Sequence, residues 1–306
     1  MKAELKEQRN DPKSLAMNVS SMLIFGTIGV LRRHIPLSSA FIAFVRGMLG
    51  GLTILAFIKV KGIKVREDLS RRQVLWLALT GAVMGINWIL LFEAFNHTTV
   101  AIATLCYYMQ PTIVILLSPV LFREKLSAKK LLCAAVAIAG MILVSGIING
   151  NPQSGSFTGV LLGLGAAVLY AAVIIMNKSK IVCSVNAYRK TMIQLLSAGA
   201  VMIPYLILSR TGIDSNALTP KTILLLLTAG ILHTGIAYLL YFGSMSGIRV
   251  QSIAILSYID PVSALFFSAL FLKEPLSPAG IIGAVMIIGS AVIAEYEPGR
   301  FMGGRS

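Results

Sequence analysis

Four ionisable residues sit inside long apolar runs of this sequence: Arg46, Glu93, His233 and Asp260. A charged side chain at the centre of a membrane costs about 2.5–3.5 kcal/mol on insertion scales, so such residues turn toward protein or a watery cavity and often mark a solute path. Asp260 is the leading candidate for chemistry. It lies about eleven residues into an apolar run, directly before Pro261, and at helical spacing Ser257, Asp260, Ala264 and Ser268 share a small, partly polar face. Proline removes one backbone donor, which is expected to leave the carbonyl of Ser257 without its usual helical partner. A carboxylate beside a free carbonyl and hydroxyls suits an ammonium group, a proton or water, set against the blander reading of a buried ion pair that ties helices together.

The other three are more ambiguous. Glu93 is either a cavity acid that binds or gates, or an interfacial acid in contact with water. Arg46 could pair with Glu93 or Asp260, bind a substrate carboxylate, or snorkel along its stem, and is assigned here as a structural charge. His233 reads as a satisfied core histidine before it reads as a proton relay. Polar and aromatic groups gather on the same runs: Asn87 and Trp88; Tyr107, Tyr108 and Gln110 ahead of Pro111; Tyr258 ahead of Pro261; Tyr170; and Tyr238 with Tyr241. Tyr108, Tyr170, Tyr238 and Tyr258 lie too deep for interfacial anchors, and are expected either to wall a solute cavity or to hydrogen-bond between helices. The candidate binding set is therefore Asp260, Tyr108, Gln110, Tyr258, Glu93, Trp88, Asn87, Tyr238, His233 and Tyr170. Pro111 and Pro261 are its helix-breaking hinges.

No HExxH, paired-aspartate or GxSxG motif is present, so an intramembrane enzyme has little support. Cys106, Cys133 and Cys183 have no metal-ligand spacing and suggest no disulfide framework. The sequence implies neither metal nor cofactor. A receptor or scaffold without transport would call for long loops or large polar domains, and the loops here are short.

The elements that hold these residues follow from composition. Of 306 residues, 56% are hydrophobic and 13% charged, about half the charged fraction of a soluble domain. Too few charges remain to coat a water-facing surface, so lipid must be the outer solvent. Ten runs meet the requirement of about 20 mainly apolar residues per spanning helix: 15–31, 38–58, 73–93, 98–121, 129–148, 157–176, 186–208, 221–243, 249–272 and 278–294. No cleavage site of small residues follows the first run, which is read as a retained span. Alternating the connections between two sides puts 21 of the 27 lysines and arginines on one side and five on the other, with Arg46 inside a span. By the positive-inside rule both termini are cytoplasmic in a multi-pass protein of the plasma or inner membrane. The same rule accounts for the net charge of +15 without a nucleic-acid partner. The run KVKGIKVREDLSRR is expected to meet anionic headgroups.

Shifting the chain by 150 residues lays YYMQPTIVILLSPVLFREKLS (107–127) on SYIDPVSALFFSALFLKEPLS (257–277) without a gap. The register pairs Tyr108 with Tyr258, Pro111 with Pro261, Glu124 with Glu274, and Gln110 with Asp260. NGNPQSGS (149–156) divides the chain near its middle, leaving five spans on each side, so the second half must enter the membrane from the opposite face. Inverted repeats of this kind recur in secondary transporters that alternate access to a midplane site. The expected fold is thus an all-α integral membrane protein of ten transmembrane helices in two inverted five-helix repeats. Residues 1–14 form a tail, 15–148 the first repeat, 149–156 a linker, 157–295 the second repeat and 296–306 a second tail.

The paired prolines, FREKLS (122–127), FLKEPLS (271–277) and the run FEAFNHTTVAIATLCYYMQP (92–111) resemble the drug/metabolite transporter superfamily in its EamA-domain branch. That resemblance covers residues 15–148 and 157–295. It implies a ten-helix carrier of a small polar metabolite such as an amino acid, amine or drug-like solute. It also implies a central cavity bordered largely by the first, third, fourth, sixth, eighth and ninth helices, with the second peripheral. The partners expected are the solute, membrane lipid and, if Asp260 couples transport, a proton.

Overall fold

A computed structural model describes residues 11–63, 69–122, 127–145, 157–208, 217–248, 250–274 and 276–295. Every regular element among them is helical. In chain order the helices are α1 (Pro12–Arg33), α2 (Ser39–Val60), α3 (Arg71–His97), α4 (Val100–Phe122), α5 (Ala128–Ser145), α6 (Phe157–Asn177), α7 (Ala187–Leu208), α8 (Pro220–Gly247), α9 (Val250–Phe271) and α10 (Pro278–Glu295). Seven of the described helices are long and apolar enough to cross a membrane, and exposed Leu, Ile, Val and Phe side chains cover their outer faces. The chain is therefore a multi-pass membrane protein.

The ends follow local chemistry. Asp11 accepts the Ser14 N–H and precedes Pro12, so α1 begins three residues before the first apolar run expected at residue 15. Ser38, Thr99, Asn186 and Thr219 cap α2, α4, α7 and α8 in the same way, and Ser70 with Gln73 forms a reciprocal capping box at α3. The linker 149–156, most of the first tail, the second tail and Glu124 lie outside the described residues.

Close packing depends on small residues. A side-chain carbon at Gly47 would meet the backbone of Gly199 and the carbonyl of Leu195, and one at Gly81 would meet the carbonyl of Gln194. Gly140 and Gly283 face each other's carbonyls between α5 and α10. In lipid, where apolar contact alone gives no preference for protein over solvent, such backbone approach supplies much of the association. The resulting pairings are α2 with α7 and α8, α3 with α6 and α7, α1 with α8 and α9, α4 with α6 and α9, and α5 with α10.

Three departures from regular α-helix matter for the interior. Helix α4 breaks at Tyr108–Met109 and α9 at Ser257–Tyr258, each just before its proline. The carbonyl of Ser257 is not left free, as the sequence suggested. The chain tightens there and Ser257 O accepts the Asp260 N–H at 3.4 Å. The third departure is a π-helical stretch, Thr228–Ile236, in α8.

Candidate functional site

The two breaks bring one polar pair together. Tyr108, at the α4 break, donates its hydroxyl to Asp260 Oδ2, one residue ahead of the α9 proline, at 2.5 Å. Because a proline cannot donate to residue i−4, the backbone turns at this depth and directs side chains into the space between the rods. That space is a cavity of about 170 Å³ between α1, α2, α3, α4, α6, α8 and α9. Asp260, Ser257 and Ala264 line its α9 side, Thr104, Tyr107 and Tyr108 its α4 side, and Tyr238 and Tyr241 its α8 side. Phe25, Gly26 and Gly29 come from α1, Met84, Trp88 and Leu91 from α3, and Tyr170 from α6.

Eight of the 19 lining residues are aromatic, and several of these rings fix one another. Tyr107 stacks on Tyr170 with centroids 5.1 Å apart and meets Tyr108 edge-on at 5.9 Å. Tyr238 packs edge-to-face on Phe25 at 5.3 Å and stacks on Phe242 at 6.0 Å. Interlocked rings lose little rotational freedom when a solute binds, so they act as a preformed surface for its apolar part.

Arg46 is also part of the lining, although the sequence analysis placed the second helix at the periphery and this residue among structural charges. It is 6% exposed and makes no ion pair with Glu93 or Asp260. Its Nε donates to Thr234 Oγ1 at 3.0 Å, and its guanidinium carbon lies 4.3 Å from the centroid of Trp88 and 5.1 Å from that of Phe92. The π-helical stretch of α8 makes this possible. Thr234 hydrogen-bonds back five residues to Ala229 O at 2.8 Å, which re-aims its face toward α2.

Other members of the candidate set lie elsewhere. Asn87 is fully buried and donates to Ala166 O, clamping α3 to α6. His233 spans α1 and α8: Nδ1 lies 3.2 Å from Thr228 O and Nε2 lies 2.8 Å from Thr27 Oγ1. A carbonyl only accepts, so a hydrogen sits on Nδ1, while the Thr27 hydroxyl that meets Nε2 also donates to Ile24 O at 2.8 Å. Glu93 accepts from Asn96 Nδ2 at 3.0 Å. Gln110 is half-buried, with Oε1 lacking a partner among the described residues, and Tyr258 is 7% exposed. None of these five lines the cavity. Asp260, Tyr108, Trp88, Tyr170 and Tyr238 all do.

Helix α1 borders the cavity, as the resemblance implied. Gly26 and Gly29 admit Ser263 and Val100 at close range, and the same absence of side chain leaves room beside Asp260.

A second polar cluster ties the two halves at one end. Glu274, in the α9–α10 connection, pairs with Arg33 Nη2 at 2.9 Å, accepts the Val100 N–H at 3.0 Å and accepts the Ser268 hydroxyl at 2.9 Å. Arg33 Nη2 also donates to Thr98 O at 2.8 Å. Glu274 thus neutralises the start of α4, where helix N–H groups lack partners.

The sequence matches the EamA-like transporter family twice, over residues 13–146 and 157–295. It is 30% identical to an uncharacterized transporter, YxxF, of Bacillus subtilis over 92% of this chain and 89% of that protein. An uncharacterized transporter of Archaeoglobus fulgidus is 27% identical over 91% of this chain and 95% of its own. A solved crystal structure superposes with a TM-score of 0.65 over 92% of this chain and 96% of that one, at 20% identity, which shows a shared fold.

Proposed function

This chain belongs to the EamA-like transporter family and is a membrane transporter, and from that premise we propose that it carries a small polar metabolite by alternating access. The solute crosses through the cavity at Asp260, while the two halves of the protein rock about it. In this reading α1 to α10 are ten crossings of the plasma membrane with both termini in the cytoplasm, and the halves are inverted repeats. What supports the repeat is the packing. Exchange each helix for the one five places along, and α3–α6 becomes α8–α1, α3–α7 becomes α8–α2, and α4–α6 becomes α9–α1. The pairs α2–α7, α4–α9 and α5–α10 return to themselves. Such a pairing list is expected of a bundle with a twofold axis between its halves.

The observation that carries the functional reading is the Tyr108–Asp260 contact. It joins two repeat-related helices at their breaks, inside a cavity lined by seven helices. A carboxylate there can meet an amine of the solute or a coupling proton, and a rocking of the halves would remake its surroundings. The test is uptake of labelled amino acids and organic cations into liposomes holding the purified protein, beside Asp260→Asn. The reading expects a solute to move and the variant to lose most of that flux. Flux untouched by the variant removes Asp260 from the mechanism, and no movement of any solute under any gradient overturns the transport reading.

A further inference from the structure

The cavity contains a cation whose hydrogen-bonding capacity is incompletely used. Arg46 is almost fully buried, and its Nε is taken by Thr234 at 3.0 Å. The two terminal nitrogens have no acceptor among the described residues, yet neither is sealed off from solvent-accessible space as a buried orphan would be. They open on the cavity that Arg46 lines. The faces of Trp88 and Phe92, at 4.3 and 5.1 Å, hold the guanidinium plane in place without filling its donors. Ring faces attract a cation but accept no fork of hydrogen bonds.

We infer that Arg46 is the anion-binding residue of this cavity, and that the transported solute brings it a carboxylate along with the amine that meets Asp260. The inference rests on the transport reading above and narrows its substrate class to zwitterions. Charge balance points the same way. Described lining residues contribute one fixed cation, Arg46, and one carboxylate, Asp260. A solute with one ammonium and one carboxylate satisfies both and adds no net charge to the cavity. A bare amine would neutralise Asp260 and leave Arg46 uncompensated, and a dianion such as a phosphate ester would add an excess negative charge, each at the cost of burying an unpaired charge. The end of the guanidinium still free is the pair of terminal nitrogens, whose parallel donors match the two oxygens of a carboxylate.

The test uses the full chain in liposomes and matched pairs of labelled probes: leucine with isoamylamine, phenylalanine with phenethylamine, and lysine with cadaverine, each amine lacking only the carboxylate. The inference expects at least one amino acid to move and its amine to be transported at least about tenfold less efficiently. Arg46→Gln should raise the KM for that amino acid at least about tenfold, while the amine's KM is unchanged or falls. Arg46→Lys should restore part of the difference. A merely structural Arg46 would instead lower both fluxes together in Arg46→Gln, which overturns the inference while transport stands. So would an amine that moves as fast as its amino acid, including one whose movement stops when chloride is replaced by gluconate, since the cation would then hold chloride. Should Arg46→Gln fail to fold, the wild-type comparison of each pair decides alone. A second readout is Trp88 emission in a Trp76→Phe background, which the inference expects the transported amino acid to change and its amine to leave unaltered.

Discussion

Glu274→Gln isolates the contact that ties the α9–α10 connection to the start of α4. The carboxylate now receives three donors: Arg33 at 2.9 Å, the Val100 N–H at 3.0 Å and the Ser268 hydroxyl at 2.9 Å. The last two share Oε2, and Arg33 uses Oε1. A glutamine can keep its carbonyl at the Oε2 position, which preserves two bonds in neutral form and turns an NH₂ group toward Arg33. The ion pair is partly exposed, at 31% and 18%, so its loss accounts for about 0.5 kcal/mol. Loss of charge assistance on two hydrogen bonds adds about 0.5–1 kcal/mol each. The expected destabilisation is about 2 kcal/mol. Glu274→Ala strips all three and leaves the Val100 N–H without an acceptor, for about 3–4 kcal/mol. Equilibrium unfolding in mixed micelles, followed by tryptophan emission, measures both, and Arg33→Gln completes a double-mutant cycle. An unfolding free energy for Glu274→Gln within about 0.5 kcal/mol of wild type would refute the reasoning, because the charge on which three donors converge would then be contributing nothing.

Tyr108→Phe removes the hydroxyl that Asp260 accepts while keeping the edge-on ring contact with Tyr107, and is expected to cut flux at least about tenfold with little effect on expression; initial uptake rates at fixed protein check this. Gly47→Leu drives a side chain into the Gly199 backbone and separates α2 from α7, so the protein should lose monodispersity by size-exclusion chromatography. His233→Gln keeps a side chain able to reach Thr27 and is expected to retain transport at a stability cost of about 1 kcal/mol. Asn87→Leu removes a donor to Ala166 O together with an Oδ1 that lacks a partner, so its effect on unfolding should be below that of Glu274→Gln.

The rods were legible because hydropathy and capping act within a few residues of each other: Ser70 with Gln73, or Asp11 with Pro12, marks a helix start in sequence as it does in space. Asp260 and Tyr108 could be read for a related reason, since a carboxylate and a proline in an apolar run are both unusual and local. Arg46 could not. Its direction depends on Thr234, 188 residues away, and on a π-helical stretch that no 3.6-residue pattern anticipates. The same irregularity takes His233 out of the cavity and commits it to Thr27. Tyr258 shows the limit of arguing from a repeat: it pairs with Tyr108 in the 150-residue register, yet it is buried away from the cavity that Tyr108 lines. Matched sequence in the two halves does not oblige related side chains to share surroundings. Asn87 was chosen for its polarity and Gln110 as the repeat partner of Asp260, and neither signal reveals which neighbour a helix face meets.

Alternating access of the cavity is the claim on which the rest depends, and Thr104, which lines the cavity, offers a probe of it. With Cys106, Cys133 and Cys183 replaced by serine or alanine, Thr104→Cys would be labelled with a membrane-impermeant maleimide in right-side-out and inverted vesicles. The account predicts labelling from both faces and opposite changes in the two rates when the transported solute is present on one side. Labelling from one face alone, unchanged by any solute, would contradict it.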